Sequence, residues 1–174
     1  KELVENSIDA KSTSIKVDLL ESGVKQIKVI DDGVGMEKED ALLALQRHAT
    51  SKLSTDDDLF SINSLGFRGE ALLSIASVSE VELKTCQNDI GTYIHIKGGK
   101  IIEDKPSEAR RGTQIKVTNL FYNTPARLKH LSSPYSELAS VTEYINKMAL
   151  SYPKIKFRLT NDEREILNTD GSGN

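Results

Sequence analysis

The stretch Ile27-Lys28-Val29-Ile30-Asp31-Asp32-Gly33-Val34-Gly35-Met36 decides how this chain is read. An apolar run of strand composition ends on a carboxylate and then on two glycines two residues apart. A strand end of this kind can point Asp31 into a pocket, and the glycines let a flat ring approach the backbone with no side chain between. Toward the N-terminus, Lys1-Glu2-Leu3-Val4-Glu5-Asn6-Ser7-Ile8-Asp9-Ala10 is amphipathic at about 100° per residue. Glu2, Glu5, Asn6 and Asp9 fall on one side, with Leu3, Val4, Ile8 and Ala10 on the other. Alone, such a stripe reads as a solvated helix face. Beside the Asp31 strand, it reads as one wall of a nucleotide pocket.

The 174 residues, 37% hydrophobic and 28% charged, make an ordinary globular chain with enough material for one core, so one domain over residues 1–174 is expected. No apolar run approaches the ~18 residues that span a bilayer. No signal peptide or lipidation motif is visible, although a chain that starts on a lysine in mid-helix leads us to expect a missing natural N-terminus. Cys86 is the only cysteine, which excludes an intramolecular disulfide, and nothing argues for a cysteine metal site. The net charge of -3 gives no general drive toward nucleic acid; Arg110-Arg111 and Arg127-Leu128-Lys129-His130 are local basic clusters of the kind usually solvated.

Ser14 to Leu20 alternates as a strand, and Glu21-Ser22-Gly23 turns it into Ile27 to Ile30 as a hairpin. Glu37 to Arg47 reads as a helix, His48 to Asn63 as a long mobile loop, and Glu70 to Ser77 as a small-residue helix. Strands are expected near Val81 to Thr85, Tyr93 to Lys97 and Gln114 to Thr118. Pro125 begins a short helical segment, Tyr135 to Leu150 is a longer helix, and strands near Ile155 to Leu159 and Glu165 to Asn168 follow. Asp170 to Asn174 has linker composition, so a second domain is expected beyond it. The fold class is α+β: a two-layer α/β sandwich, a mixed, mostly antiparallel sheet with helices on one face.

The chemistry follows from residue types. Magnesium takes oxygen ligands and few protein groups, and the Asn6 amide oxygen can bind it without adding negative charge beside a triphosphate. Glu2, one turn earlier, can orient and deprotonate water near the γ-phosphate. Asp31 can accept a hydrogen bond from the adenine amine, where guanine would bring a repelled carbonyl. Thr113, directly after Gly112, can reach the base through its hydroxyl or through water. Arg47-His48-Ala49-Thr50-Ser51-Lys52 and Gly66-Phe67-Arg68-Gly69 offer hydroxyls, cations and amides suited to phosphate, helped by the dipole of the helix after Gly69. The P-loop, dinucleotide and protein-kinase signatures are absent. His48, His95 and His130 show no metal-ligand spacing, and Asp56-Asp57-Asp58 reads as a solvated lid.

These strings together, with Gly66 to Leu72 and Asn119-Leu120-Phe121-Tyr122-Asn123-Thr124-Pro125-Ala126-Arg127, resemble the MutL family of DNA mismatch repair proteins, within the wider gyrase, heat-shock chaperone, histidine kinase and MutL ATPase superfamily. The resemblance implies the fold of that superfamily and an ATP-operated clamp that uses ATP and magnesium. It implies Glu2 as general base, Asn6 as magnesium ligand and Asp31 as adenine anchor. Ala10, Gly33, Gly35, Met36 and Thr113 would surround the nucleotide, and Thr50, Ser51, Lys52, Leu65, Gly66, Phe67, Arg68 and Gly69 would form the phosphate lid. As partners it implies the mismatch-recognition protein MutS, a strand-incision nuclease, weakly bound DNA, and an ATP-dependent second copy. No membrane partner is expected. The location implied is the bacterial cytoplasm and nucleoid, or the nucleus of a eukaryote.

The family often has Asp-Ala-Gly-Ala-Thr where this chain has Asp9-Ala10-Lys11-Ser12-Thr13, and Asp-Asn-Gly where it has Asp31-Asp32-Gly33. The first is expected to alter a turn and the second to add charge near the pocket. The resemblance also implies a segment before Lys1 and a lysine-donating domain after Asn174, so this stretch by itself is expected to bind nucleotide weakly, hydrolyse it slowly or not at all, and stay monomeric. A non-hydrolysing nucleotide-binding module and a histidine-kinase-like phosphotransferase are the alternatives.

Overall fold

The computed structural model describes residues 1–46 and 69–173. Helix α1 (Glu2–Asp9) leads into the hairpin of β1 (Ser14–Leu20) and β2 (Gln26–Asp31), followed by α2 (Lys38–Leu45). After the stretch outside the description come α3 (Gly69–Ser77), β3 (Glu80–Cys86), β4 (Gly91–Lys97), β5 (Lys100–Ser107) and β6 (Gly112–Thr118). The short α4 (Pro125–Lys129), the long α5 (Pro134–Ser151) and the pair β7 (Lys156–Asn161) and β8 (Arg164–Asn168) complete it. The strands form one sheet in the order β5-β4-β3-β6-β2-β1-β7-β8. Among the described residues only the β1–β7 pair is parallel, so the sheet is mixed and mostly antiparallel, as expected.

Strand β5 is the element that the sequence reading omits. Gly98 and Gly99, both at positive φ, turn β4 back into it. Lys100-Ile101-Ile102-Glu103-Asp104-Lys105-Pro106-Ser107 shows no clean alternation because it is an edge strand, exposed along most of its length. Pro106 is tolerated there, since an edge leaves half of the backbone donors without a ladder partner.

Register explains both the core and the site. Across neighbouring strands, Leu159, Val17, Val29, Ile115, Leu83 and Ile94 stand side by side in one row. All are buried, and burial of each such side chain stabilises the fold by about 1.5–3 kcal/mol. Two residues along, the parallel row runs Phe157, Ile15, Asp31, Thr113, Thr85 and Thr92. It begins apolar and turns polar, yet every member is buried. The inward-pointing face of the sheet therefore ends in a carboxylate and three hydroxyls. Such a row is stable only with every group hydrogen-bonded.

Candidate functional site

Asp31 closes β2 and is buried. Its Oδ2 accepts from the Ser7 hydroxyl at 2.6 Å. Its Oδ1 accepts from the backbone N–H of Gly33 at 2.9 Å and of Thr113 at 3.2 Å. Burial pushes the carboxyl above its ordinary value, with these donors pulling the other way but not prevailing. Desolvation disfavours the charged form, so a further donor reaching the Asp31 carboxyl would be favoured.

The turn after Asp31 is fixed at both ends. The Val34 N–H donates to the Ala10 carbonyl at 2.9 Å, and the Met36 N–H donates to Thr85 Oγ1 at 2.9 Å. Gly35 lies at φ +71, and a Cβ there would fall onto the Cys86 carbonyl; a Cβ on Gly33 would meet the Ala10 carbonyl oxygen at 2.6 Å. Both glycines thus serve the seating of the turn against α1 and β3. The expectation that they merely clear space for a ring covers only part of their role.

Asn6, Ala10, Asp31, Gly35, Met36 and Thr113 line one cavity, floored by apolar side chains that include Val29, Leu72 and Ile115. Asn6 sits on the pocket side of α1, and its Oδ1 is buried without a hydrogen-bond donor. An orphaned buried carbonyl oxygen costs on the order of 1–3 kcal/mol, and a hard cation is a fitting partner for it. This one oxygen is of the type that magnesium takes as a protein ligand. Glu2 is not gathered into the same cavity. It is exposed on the first turn of α1 and lines a wider apolar groove of about 670 Å³ between the sheet, α3 and α5. Gly69, expected in the loop before the helix, is the first residue of α3. Thr50, Ser51, Lys52, Leu65, Gly66, Phe67 and Arg68, with the expected loop, lie outside the described residues.

The two departures in sequence have structural outcomes. Lys11 occupies the left-handed region at φ 60, so the turn ending α1 is kept with a lysine in a conformation that favours glycine. Asp32 turns away from the cavity. Its Oδ1 accepts from the N–H groups of Thr13 at 2.8 Å and Ser14 at 3.0 Å, and its Oδ2 from the Thr13 hydroxyl at 2.5 Å. Partial burial opposes the charge, but these donors outweigh it and hold the Asp32 carboxyl below its ordinary value. The extra charge thus clamps the start of β1.

Ser7 and Thr85 were not singled out by the sequence reading. Ser7, the residue next to Asn6, is buried and lines the same cavity, where its hydroxyl meets Asp31. Thr85 joins the turn, β3 and β6 through one oxygen, which lies 2.9 Å from Thr113 Oγ1. The signal for Ser7 is a small hydroxyl on the buried side of an amphipathic helix; Thr85 carries none without the strand register.

A helix-borne amide oxygen, a strand-end carboxylate and a glycine turn pinned between them are features of one class of nucleotide-dependent enzyme. Residues 1–123 match the family described as histidine kinase-, DNA gyrase B-, and HSP90-like ATPase, and the chain belongs to it. Within that class the likeness runs to DNA mismatch repair protein MutL. The chain is 53% identical over 174 residues to the protein of that name from Staphylococcus epidermidis, covering 99% of this chain and 27% of that one. It is 52% identical over 173 residues to its counterpart from Lactiplantibacillus plantarum, covering 99% and 26%. The chain thus spans about a quarter of the length of these relatives. Among solved structures, the Aquifex aeolicus MutL ATPase domain complexed with ADP superposes with a TM-score of 0.77 at 32% identity, covering 98% of this chain and 61% of that one.

Proposed function

We propose that this chain is the ATP-binding and ATP-hydrolysing switch domain of a MutL-type mismatch repair protein, with residues 170–174 leading to a further domain. The observation that carries the reading is the pairing, across one cavity, of buried Asp31 with the donor-free Asn6 oxygen. Asp31 would accept the adenine amine while Gly35, Met36 and Thr113 flank the base. Asn6 would hold a magnesium ion, which when bound supplies charge neutralisation at the phosphate oxygens. Glu2 would take the proton of the attacking water, and Thr50, Ser51, Lys52, Gly66, Arg68 and Gly69 would enclose the phosphates. In the whole protein, ATP-driven pairing of two copies would couple mismatch recognition by a MutS-type partner to strand incision on DNA.

The exposure of Glu2 outside the Asp31 cavity favours one rival, a nucleotide-binding module without turnover. Hydrolysis and binding by the whole protein decide between them. Glu2→Ala should spare ATP binding and stop turnover, whereas Asn6→Ala should weaken both. Undiminished turnover in Glu2→Ala removes the general-base assignment, and a wild-type protein that binds but never hydrolyses ATP supports the rival.

A further inference from the structure

Thr85 lies behind the cavity wall, is 2% exposed, and is not itself among the residues lining the cavity. Its hydroxyl has one proton and two lone pairs. Three groups converge on it: the Met36 backbone N–H at 2.9 Å, the Gly112 carbonyl oxygen at 3.3 Å and Thr113 Oγ1 at 2.9 Å. The first can only donate and the second can only accept. A single arrangement satisfies all three, in which Thr85 accepts from Met36, donates to Gly112 and accepts the proton of Thr113. Thr113 then turns only lone pairs toward the cavity.

Asp31 is similarly committed. Two amides occupy Oδ1 and the Ser7 hydroxyl occupies one site on Oδ2; the buried Ser12 hydroxyl also favours the charged carboxylate but makes no hydrogen bond to it, so one of the four lone-pair sites stays open. Asp31 and Thr113 are register partners on adjacent strands and line the same cavity. We infer that Thr85 is a positioning and specificity-determining residue: by fixing the Thr113 proton it makes the base end of the cavity a pair of acceptors that selects an exocyclic amine. The inference rests on the nucleotide reading of the site. An amine brings a hydrogen to each acceptor, whereas a carbonyl oxygen at that position meets two acceptors and leaves all three groups unpaired. Sites built this way reject the unmatched ligand much more strongly than shape does.

The test compares ATP, inosine triphosphate and purine riboside triphosphate by equilibrium titration of the whole protein. In wild type, replacing the amine with hydrogen should cost about 100-fold, the loss of two hydrogen bonds, one of them to a charged group. Thr85→Val keeps the shape and frees the Thr113 proton to donate to a carbonyl, so the preference for ATP over inosine triphosphate should fall about tenfold. Thr85→Ser should retain the wild-type preference. A purely structural role would weaken all nucleotides alike. An unchanged preference in a folded Thr85→Val overturns the inference. So does a loss below about tenfold for purine riboside triphosphate in wild type, a measurement that does not depend on any variant folding. Failure of wild type to bind ATP at all refutes instead the nucleotide reading on which the inference rests.

Discussion

The Ser7 hydroxyl donates to Asp31 Oδ2 at 2.6 Å across 24 residues of sequence, joining the middle of α1 to the end of β2. Asn6 precedes Ser7 on the helix, so one buried hydrogen bond sets the spacing between the orphaned amide oxygen and the carboxylate. Ser7→Ala should therefore cost about 1.5–3 kcal/mol of stability at neutral pH, the range for a hydrogen bond to a charged group, read from urea midpoints. It should also move the Asp31 carboxyl further upward, so that ATP affinity fails at a higher pH than in wild type as the solution is acidified.

Asp31 and Asp32, adjacent in sequence, should respond oppositely to pH. The folded carboxyl of Asp31 lies above its ordinary 3.8, so its contribution to stability is present below that value and is lost as pH rises through the folded pKa. For Asp32 the folded value is depressed below 3.8; its contribution is present above 3.8 and lost as pH falls through the folded pKa. Asp31→Asn should then gain stability over wild type at pH 7 and lose that gain near pH 3, while Asp32→Ala should be destabilised at pH 7 and much less so near pH 3. Denaturation midpoints at the two pH values check both signs.

Lys11 at φ 60 is a non-glycine residue where the backbone favours glycine. Lys11→Gly should raise stability by about 1 kcal/mol, the steric penalty removed less the entropy added to the unfolded chain. A thermal midpoint equal to or below wild type would show that the lysine side chain stabilises the turn by other means.

The legible parts of the fold share one property, a buried face against a solvated one. Ile15, Val17 and Leu19 are visible because β1 alternates, and Asp31 with Gly33 and Gly35 because a strand end and a turn each leave a local mark. Edge strand β5 leaves no such mark. Ser7 and Thr85 act through partners 24 and 28 residues away, a relationship set by helix-to-strand packing and by sheet register. Asp32 carried a readable charge, but its direction was decided by three donors on Thr13 and Ser14. The alignment of Glu2 with Asn6 on one helical stripe was sound as periodicity, yet the cavity reaches only the second of them.

The central claim is that Asp31 anchors the base of ATP in the cavity that Asn6 borders. Titration of ATP with magnesium into wild type and Asp31→Asn, with circular dichroism to confirm that both are folded, tests it directly. The account predicts saturable binding by wild type and a loss of about 100-fold or more in the variant, whose fold is at least as stable. Equal affinities in two folded proteins would contradict it.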